Sequence, residues 1–394
     1  MPINEKASTI IIFFCLLALI IEFVKKKVRF KLKKELLIFP ILYLIYVGTS
    51  IFLSDKIEFK LFEQKAALII FPFLFSTTYK YNQKKILTAF VYGCIVAYVI
   101  CIVIAFNNSL VFDMGNISFN PLLNESRGFG FFKSMIYEGN YFFGSYFSRL
   151  IQISYFAIYL AFAISILLFQ PIEFKGKNFI IFIFVIAILQ TTSLAGILNL
   201  LIIVLVGIIY RVKSRKKRAI IFFGCLGLIL LSARYHPRIN TTIMGVYKTL
   251  QGQNSPEFPK QPRIMTWKAS IMAVGQHGIA GLGVGTSQKE LNKKYVEINF
   301  QRGRNENLNA HNEYLQILLE CGVIGFVALL FIFYALIKRI NNVEGYKKPF
   351  VLCFLLLILV NFMLESMMNR YIGISFFVFF SCMIIVMNKK IELK

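Results

Sequence analysis

The sequence predicts an all-α polytopic integral membrane protein, on three observations. Hydrophobic residues make up 57% of the 394 residues, Phe alone accounts for 42 of them, and the mean hydropathy is +0.67. A soluble chain of this length cannot hide that much apolar surface in a core. Long apolar runs recur along the chain, and basic residues collect between alternate runs. Both patterns are typical of a chain that crosses a bilayer repeatedly.

Eleven apolar runs are candidate transmembrane helices. Eight are long enough to cross about 30 Å of hydrocarbon, namely residues 9–24, 36–53, 86–106, 150–169, 194–211, 315–338, 348–366 and 371–388. Three shorter runs are residues 64–78, 178–191 and 218–232. The first run is followed by its basic cluster, which favours a retained helix over a cleaved signal peptide. We expect about eleven spans in a single membrane domain, residues 1–394, with one large, partly helical outer loop at residues 233–310.

The positions of Lys and Arg predict the orientation, because short cytoplasmic loops retain positive charge. Six segments hold 25 of the 44 basic residues, namely 25–34, 79–85, 170–177, 211–218, 338–348 and 387–394. We expect these segments on the cytoplasmic side, the C-terminus included. The N-terminus and the loops near 54–65, 107–149 and 233–310 are then expected outside.

The formal net charge of +25 does not indicate nucleic acid, because topology and anionic inner-leaflet lipid account for most of it. The loop at residues 233–310 is the exception, with eleven Lys and Arg against four Glu. Two interpretations stay open for that loop. It is a solvated face that touches lipid head groups, or it holds an anion site for phosphates.

Metal and disulfide chemistry have little support in the sequence. The seven cysteines fall in or beside apolar runs at spacings that match no disulfide or metal framework. The three histidines, His236, His277 and His311, are scattered, and no HExxH motif occurs. We therefore expect neither a metal nor another cofactor.

Two stretches of the outer loop attract attention. Arg263 and Trp267, the only Trp, are four residues apart, so on a helix they share a face suited to gripping an anion beside an apolar or sugar surface. The alternative is an Arg packed on an aromatic ring. Further on, Gly281, Gly283 and Gly285 resemble a phosphate cradle only weakly, and a loop bend is the simpler interpretation.

His311 and Asn312 stand where this loop meets an apolar helix that continues through Gly322 and Gly325. Asn312 is a plausible helix cap, and the positive end of the helix dipole disfavours imidazolium, so a neutral His311 could accept a proton. Two glycines three residues apart would let another helix approach closely and support the His. The simpler alternative is a His that merely caps an interfacial helix.

His311-Asn312, nine residues, and then Gly322-Val323-Ile324-Gly325 resembles the signature of the O-antigen ligase and polymerase superfamily. Arg263, Trp267 and the glycine turn resemble that family's outer loop in the same order. One departure is Leu194, after Thr191-Thr192-Ser193, where such proteins commonly have an Arg that is thought to help hold the lipid diphosphate. Arg127, Arg149, Arg302 and Arg304 are candidate replacements.

The resemblance implies metal-independent transfer of a glycan from a polyprenyl diphosphate carrier to a hydroxyl, at the periplasmic face of the bacterial inner membrane. His311 would then be the general base, and Arg263 would stabilise the leaving diphosphate. Asn312, Trp267, Arg302, Arg304 and Arg127 are the expected substrate-binding residues.

Three acceptors stay open under this resemblance. An O-antigen ligase uses lipid A core and is favoured slightly; a polymerase uses carrier-linked glycan, and a protein O-oligosaccharyltransferase uses a protein hydroxyl. Outside the enzyme class, a lipid-glycan flippase fits the composition. It is disfavoured because no internal repeat is found and the acids within the apolar runs lie toward helix ends.

Overall fold

The computed structural model describes residues 5–55, 59–79, 81–113, 116–124, 128, 130, 134, 139–235, 237–251 and 261–387. About 75% of the chain is helical. The helices of the first half are α1 Glu5–Val24, α2 Ile38–Leu53, α3 Phe59–Lys65, α4 Ala67–Phe75, α5 Gln83–Ser109, α6 Gly144–Phe147, α7 Ile153–Phe169, α8 Lys177–Gln190 and α9 Leu194–Arg211. Those of the second half are α10 Arg215–Tyr235, α11 Pro237–Leu250, α12 Pro262–His277, α13 Val284–Glu297, α14 Gln301–Asn305, α15 Glu313–Asn342, α16 Lys347–Leu364 and α17 Tyr371–Ile385.

All eleven apolar runs are helical, and five helical segments of the described chain are long and apolar enough to cross a membrane. They are Lys34–Leu53, Gln83–Ser109, Leu194–Arg211, Glu313–Asn342 and Lys347–Leu364. Four apolar helices are shorter: Thr9–Val24, Ile153–Phe169, Lys177–Gln190 and Tyr371–Ile385. A helical membrane protein is therefore supported, and the count of eleven spans stays a prediction.

The run at residues 64–78 forms two short helices instead of one. Helix α3 ends at Lys65, and α4 covers nine residues with Pro72 inside it. At 1.5 Å per residue, α4 is about 14 Å long, roughly half the thickness of the hydrocarbon. The break leaves Lys65 at a helix end, where its side chain is buried.

The structure divides into two compact units. The first is built mainly from residues 83–258, with residues 352–357. Helix α7 is buried on nearly every side, as expected for a helix that is hydrophobic all round. The Phe162 ring packs 5.6 Å from Phe90 and 5.4 Å from Phe354. A hairpin of β1 Leu110–Asp113 and β2 Asn116–Phe119, with Leu110 opposite Phe119, is a departure from the all-α prediction.

The second unit comprises residues 5–82, 259–351 and 358–394. Within it α15 packs against α2 and α12, and α12 packs against α13. The helices α12 and α13 meet α15 through an apolar cluster that includes Met265, Leu291, Tyr295 and Leu319. Burial of this cluster fixes α12, and with it Arg263 and Trp267, beside the start of α15. The described part of the predicted outer loop is thus mostly helical.

Candidate active site

His311 occupies a strained backbone position immediately before α15. Its φ is +46°, in the left-handed region that costs a non-glycine residue about 1 kcal/mol or more. Two hydrogen bonds hold it there. The His311 N–H donates to Asn309 Oδ1 at 3.1 Å, and the Trp267 indole N–H donates to the His311 carbonyl at 3.2 Å. The backbone of this residue is therefore fixed by its neighbours.

Asn312 caps α15, as the sequence predicts. Its side-chain oxygen accepts a hydrogen bond from the Leu315 N–H at 3.1 Å, which satisfies one of the free donors of the first turn. Its own N–H donates to Ser366 Oγ at 3.3 Å. Because the residue is buried and its side chain is used in this cap, the structure supports a structural role for Asn312 beside the predicted substrate contact.

Glu365 joins the two predicted catalytic residues. His311 Nδ1 lies 3.1 Å from Glu365 Oε2, and Arg263 Nη2 donates to Glu365 Oε1 at 2.8 Å. Arg263 Nε also donates to the carbonyl of Leu364 at 3.1 Å, at the C-terminal end of α16, where cations are favoured. One carboxylate thus brings together His311 and Arg263, which are 48 residues apart in sequence.

The charge state of Glu365 follows from these contacts. Burial opposes its ionisation, but the hydrogen bond and charge from His311, together with Arg263, outweigh that effect and lower the pKa of Glu365 below its ordinary value of 4.5. An ionised carboxylate only accepts hydrogen bonds. His311 Nδ1 must therefore carry the proton in this contact, and when the imidazole is neutral its lone pair is on Nε2.

The exposure of the three side chains suits a site that receives a substrate. Glu365 is 8% exposed, whereas His311 and Arg263 are 23% and 35% exposed. The carboxylate therefore lies behind the imidazole and the guanidinium. Among the described residues His311 Nε2 has no hydrogen-bond partner, which leaves this nitrogen available to a substrate.

Arg302 and Arg304 do not join this cluster. Arg302 pairs with Glu306 on an exposed surface, with 2.9 Å between Nε and Oε1, and the Arg304 side chain is exposed on the same short helix. Within the described part of the chain, neither has a hydrogen bond or ion pair to Arg263, His311 or Glu365. Arg127 lies outside the described residues. In the described part of the chain, the structure thus shows no site contact for Arg302 or Arg304.

The glycine turn is a backbone junction. Leu282 N–H donates to the Leu319 carbonyl at 2.8 Å, and Gly283 N–H to the Glu320 carbonyl at 3.0 Å. The amides that open α13 are used as well, since Val284 N–H donates to Ser50 Oγ and Gly285 N–H to Ser54 Oγ. With these donors occupied, the turn is not a phosphate cradle, and the loop-bend interpretation is correct.

The glycine turn packs against Gly322. It has φ +63° inside α15 and interrupts the helix, and Val323 N–H donates to the Ile279 carbonyl at 3.2 Å. The close partner at Gly322 is therefore a loop, and the expectation of a second helix there is wrong. The nearest atoms that a Cβ at Gly325 would meet belong to Cys321 and Ile317 of the same helix.

Glu365 escaped the sequence interpretation, although a signal was present. It directly follows the long apolar helix α16 and precedes the turn Ser366 to Arg370. In the sequence, an acidic residue at this position indicates only that the apolar helix ends there. Only the fold reveals that it pairs with a histidine 54 residues earlier. No group of three or more His, Cys, Asp or Glu residues is placed to bind a metal in the part of the chain that the structure describes.

Comparisons with known proteins agree with the motifs. Residues 179–330 match the family model described as O-antigen ligase. A stretch of 85 residues is 31% identical to a Rickettsia felis (strain ATCC VR-1525 / URRWXCal2) protein whose name describes a candidate polysaccharide ligase. It covers 21% of this chain and 21% of that relative, about a fifth of each. The family match contains Arg263, Trp267 and His311 and ends before Glu365. The predicted resemblance to the O-antigen ligases is thereby confirmed over residues 179–330.

Proposed function

We propose that this chain transfers a glycan from a polyprenyl diphosphate carrier to an acceptor hydroxyl, with His311 as the general base. The family match over residues 179–330 supports ligase-like or polymerase-like chemistry. The observation that carries the residue assignment is the contact between His311 Nδ1 and the ionised Glu365. This contact orients the imidazole and, in the neutral ring, places the lone pair on Nε2.

The reaction balances with these groups. The acceptor oxygen forms a bond to the anomeric carbon while the bond from that carbon to the diphosphate oxygen breaks, and its electron pair leaves with the diphosphate. The hydroxyl proton passes to His311 Nε2. Glu365 then faces an imidazolium and stabilises its positive charge. The proton leaves His311 for water or for the departing diphosphate before the next cycle.

Arg263 has two tasks in this proposal. Nε and Nη2 hold Leu364 and Glu365, whereas the guanidinium has five N–H donors in all. The remaining donors, on a side chain that is 35% exposed, can contact the leaving diphosphate. Since Glu365 offsets one positive charge, the diphosphate needs further cations. Arg302, Arg304 and Arg127 remain the proposed sources.

We assign the chain to the bacterial inner membrane as a multi-pass protein, with the His311 face periplasmic and the C-terminus cytoplasmic. Its partners are the lipid-linked glycan donor, membrane lipids and an acceptor. Lipid A core is the preferred acceptor, which makes the chain a ligase. A polymerase or a protein O-oligosaccharyltransferase would use the same His311 and Arg263 on a different hydroxyl, and the flippase is the non-enzymatic alternative.

A competition assay tests this proposal. The purified full chain in lipid nanodiscs receives polyprenyl-diphosphate glycan, with lipid A core and a second carrier-linked glycan offered together. We expect product on lipid A core. Lengthened carrier-linked glycan would replace the ligase with the polymerase. Transfer to neither, by a protein that binds the donor, would reject both and leave a protein acceptor or transport.

A further inference from the structure

A buried ion pair lies behind the His311–Glu365 site. Lys65 Nζ is 3.3 Å from Glu320 Oε2, and the two side chains are 2% and 1% exposed. The Lys65 ammonium also lies 4.0 Å from the centre of the Tyr46 ring. Removing two charges from water is unfavourable, and apolar residues often stabilise such a position equally well. Stability alone therefore does not explain why Lys65 and Glu320 are paired here. The hydrogen bonds that other residues make to this pair indicate a second role.

Asn369 closes a ring with the pair. Its Oδ1 accepts from Lys65 Nζ at 2.9 Å, and its Nδ2 donates to Glu320 Oε1 at 3.0 Å. Asn369 ends the 3₁₀ turn Met367–Asn369 that follows Glu365. The Asn369 side-chain amide thus accepts a hydrogen bond from the cation and donates one to the carboxylate. These two contacts fix its orientation. The loop that carries Glu365 is thereby tied to a buried anchor.

The Lys65–Glu320 pair is also connected by hydrogen bonds to the residues that precede His311. Gln316 Nε2 donates to Glu320 Oε1 at 2.7 Å, and Gln316 Oε1 accepts from the N–H of Ala310 at 3.0 Å. Ala310 directly precedes His311. Glu313 strengthens the connection, because its Oε2 accepts from the N–H of Met368 at 2.7 Å. Both sides of the His311–Glu365 contact are therefore hydrogen-bonded to one buried network.

We propose that Lys65, acting through Glu320 and Asn369, is a positioning residue that sets the His311–Glu365 hydrogen bond. The inference rests on the proposed role of this pair in glycan transfer. Lys65 does not touch the site. Its charge orders Asn369 and Glu320, and these hold residues 365–369 against residues 310–313. Displacement of catalytic groups by about 1 Å can lower a reaction rate about a hundredfold. Lys65 can therefore affect catalysis without contacting the substrate.

Two variants test the proposal, and each avoids an unpaired buried charge. Asn369→Ala keeps the ion pair and cuts its link to the Glu365 loop; Asn369 is only half-buried, so the fold should tolerate the change. Lys65→Met with Glu320→Gln removes both charges together at similar volume, a replacement that buried pairs often tolerate. Lys289→Met is the matched control, because it breaks an ion pair to Asp55 whose side chains are 64% and 58% exposed.

The main readout is the ring ¹⁵N and ¹H NMR of histidine-labelled protein in nanodiscs. The chain has three histidines, and His311→Gln identifies the His311 signals. We expect a strongly deshielded Nδ1 proton in the parent and in Lys289→Met. In both test variants we expect this signal to be lost or moved toward that of a water-exposed imidazole. We also expect kcat to fall about tenfold or more, with KM nearly unchanged.

An unchanged Nδ1 signal with parental kcat in both test variants would overturn the positioning role. A loss of kcat with an intact Nδ1 signal would overturn it too, since the effect would not pass through the pair. The NMR readout needs no turnover. If the parent transferred no glycan, the proposed function would fail. The positioning role would still stand in that case if the Nδ1 signal were present in the parent and lost in the two test variants.

Discussion

Gly281 and Gly322 meet backbone to backbone. A Cβ on Gly281 would lie 2.6 Å from the amide nitrogen of Gly322, and a Cβ on Gly322 would lie 2.8 Å from that of Gly281. Both residues have positive φ. Two glycine motifs that stand 41 residues apart in sequence therefore form one junction between α15 and the turn that precedes α13, and this junction lies in the same unit as His311.

Gly322→Ala should strongly destabilise the protein. The new methyl group would clash with the backbone of Ile279 and Ala280, at a residue whose φ is +63°. Relief of the clash would require the backbone of α15 or of the facing turn to move. Strain and overpacking together predict a loss of about 2–4 kcal/mol. Gly48→Ala in α2 is the matched control, since nothing lies within 4 Å of its Cβ. The midpoints of thermal unfolding in detergent measure both; equal midpoints for the two variants would contradict the junction.

Trp267→Phe should slow transfer without unfolding the chain. Phe keeps most of the ring but loses the N–H that donates to the His311 carbonyl. The loss of one such bond, about 1 kcal/mol, frees the strained backbone of His311. We expect kcat to fall about fivefold to tenfold, with little change in KM. Ile271→Ala, at an exposed position on the same helix, should behave like the parent. A raised KM with unchanged kcat would instead support a direct substrate contact by Trp267.

Glu365→Gln should remove the orienting carboxylate while leaving the shape of the site intact. The neutral amide no longer stabilises an imidazolium, and it can also donate to His311 Nδ1 and so favour the wrong tautomer. We expect the single-turnover rate of transfer to fall about a hundredfold or more. Donor binding, followed by the fluorescence of the only Trp, should persist. A parental rate would remove Glu365 from the mechanism.

The lowered pKa of Glu365 has a consequence for stability. A carboxyl whose pKa is lower in the folded protein than its ordinary value of 4.5 contributes stability above that value and loses it as pH falls through the folded pKa. The parent should therefore lose more stability than Glu365→Gln as pH falls below about 4.5. Thermal unfolding of both proteins from pH 5 down to pH 3 tests this, and an equal loss of stability by the parent and by Glu365→Gln would contradict it.

Much of the fold could be predicted because it depends on local composition. Each of the eleven apolar runs is helical over most of its length, the conformation expected of a segment that must satisfy its own backbone hydrogen bonds in hydrocarbon. The Asn312 cap was also predictable, because capping involves residues three apart. The run at 64–78 was harder to interpret. Hydropathy does not register the turn at Ala66, which divides the run into two short helices.

The site was only half predictable, for a physical reason. His311, Arg263 and Trp267 lie within 49 residues of one another, in recognisable motifs. Glu365 and Lys65 act through contacts that span 54 and 304 residues of sequence, and nothing local marks such partners. The sequence also made Arg302 and Arg304 candidate replacements for the Arg that the family commonly has at the position of Leu194. Their exposure, and the pairing of Arg302 with Glu306, became evident only in three dimensions.

The most direct test of the account is the single-turnover rate of glycan transfer by His311→Ala in nanodiscs, with His277→Ala as the matched histidine control. His277 ends α12 and supplies its backbone carbonyl to Gly281. We predict that His311→Ala lowers the rate about 10²-fold to 10⁴-fold at normal abundance and donor binding, whereas His277→Ala matches the parent. Transfer by His311→Ala at the parental rate would contradict the assignment of the general base.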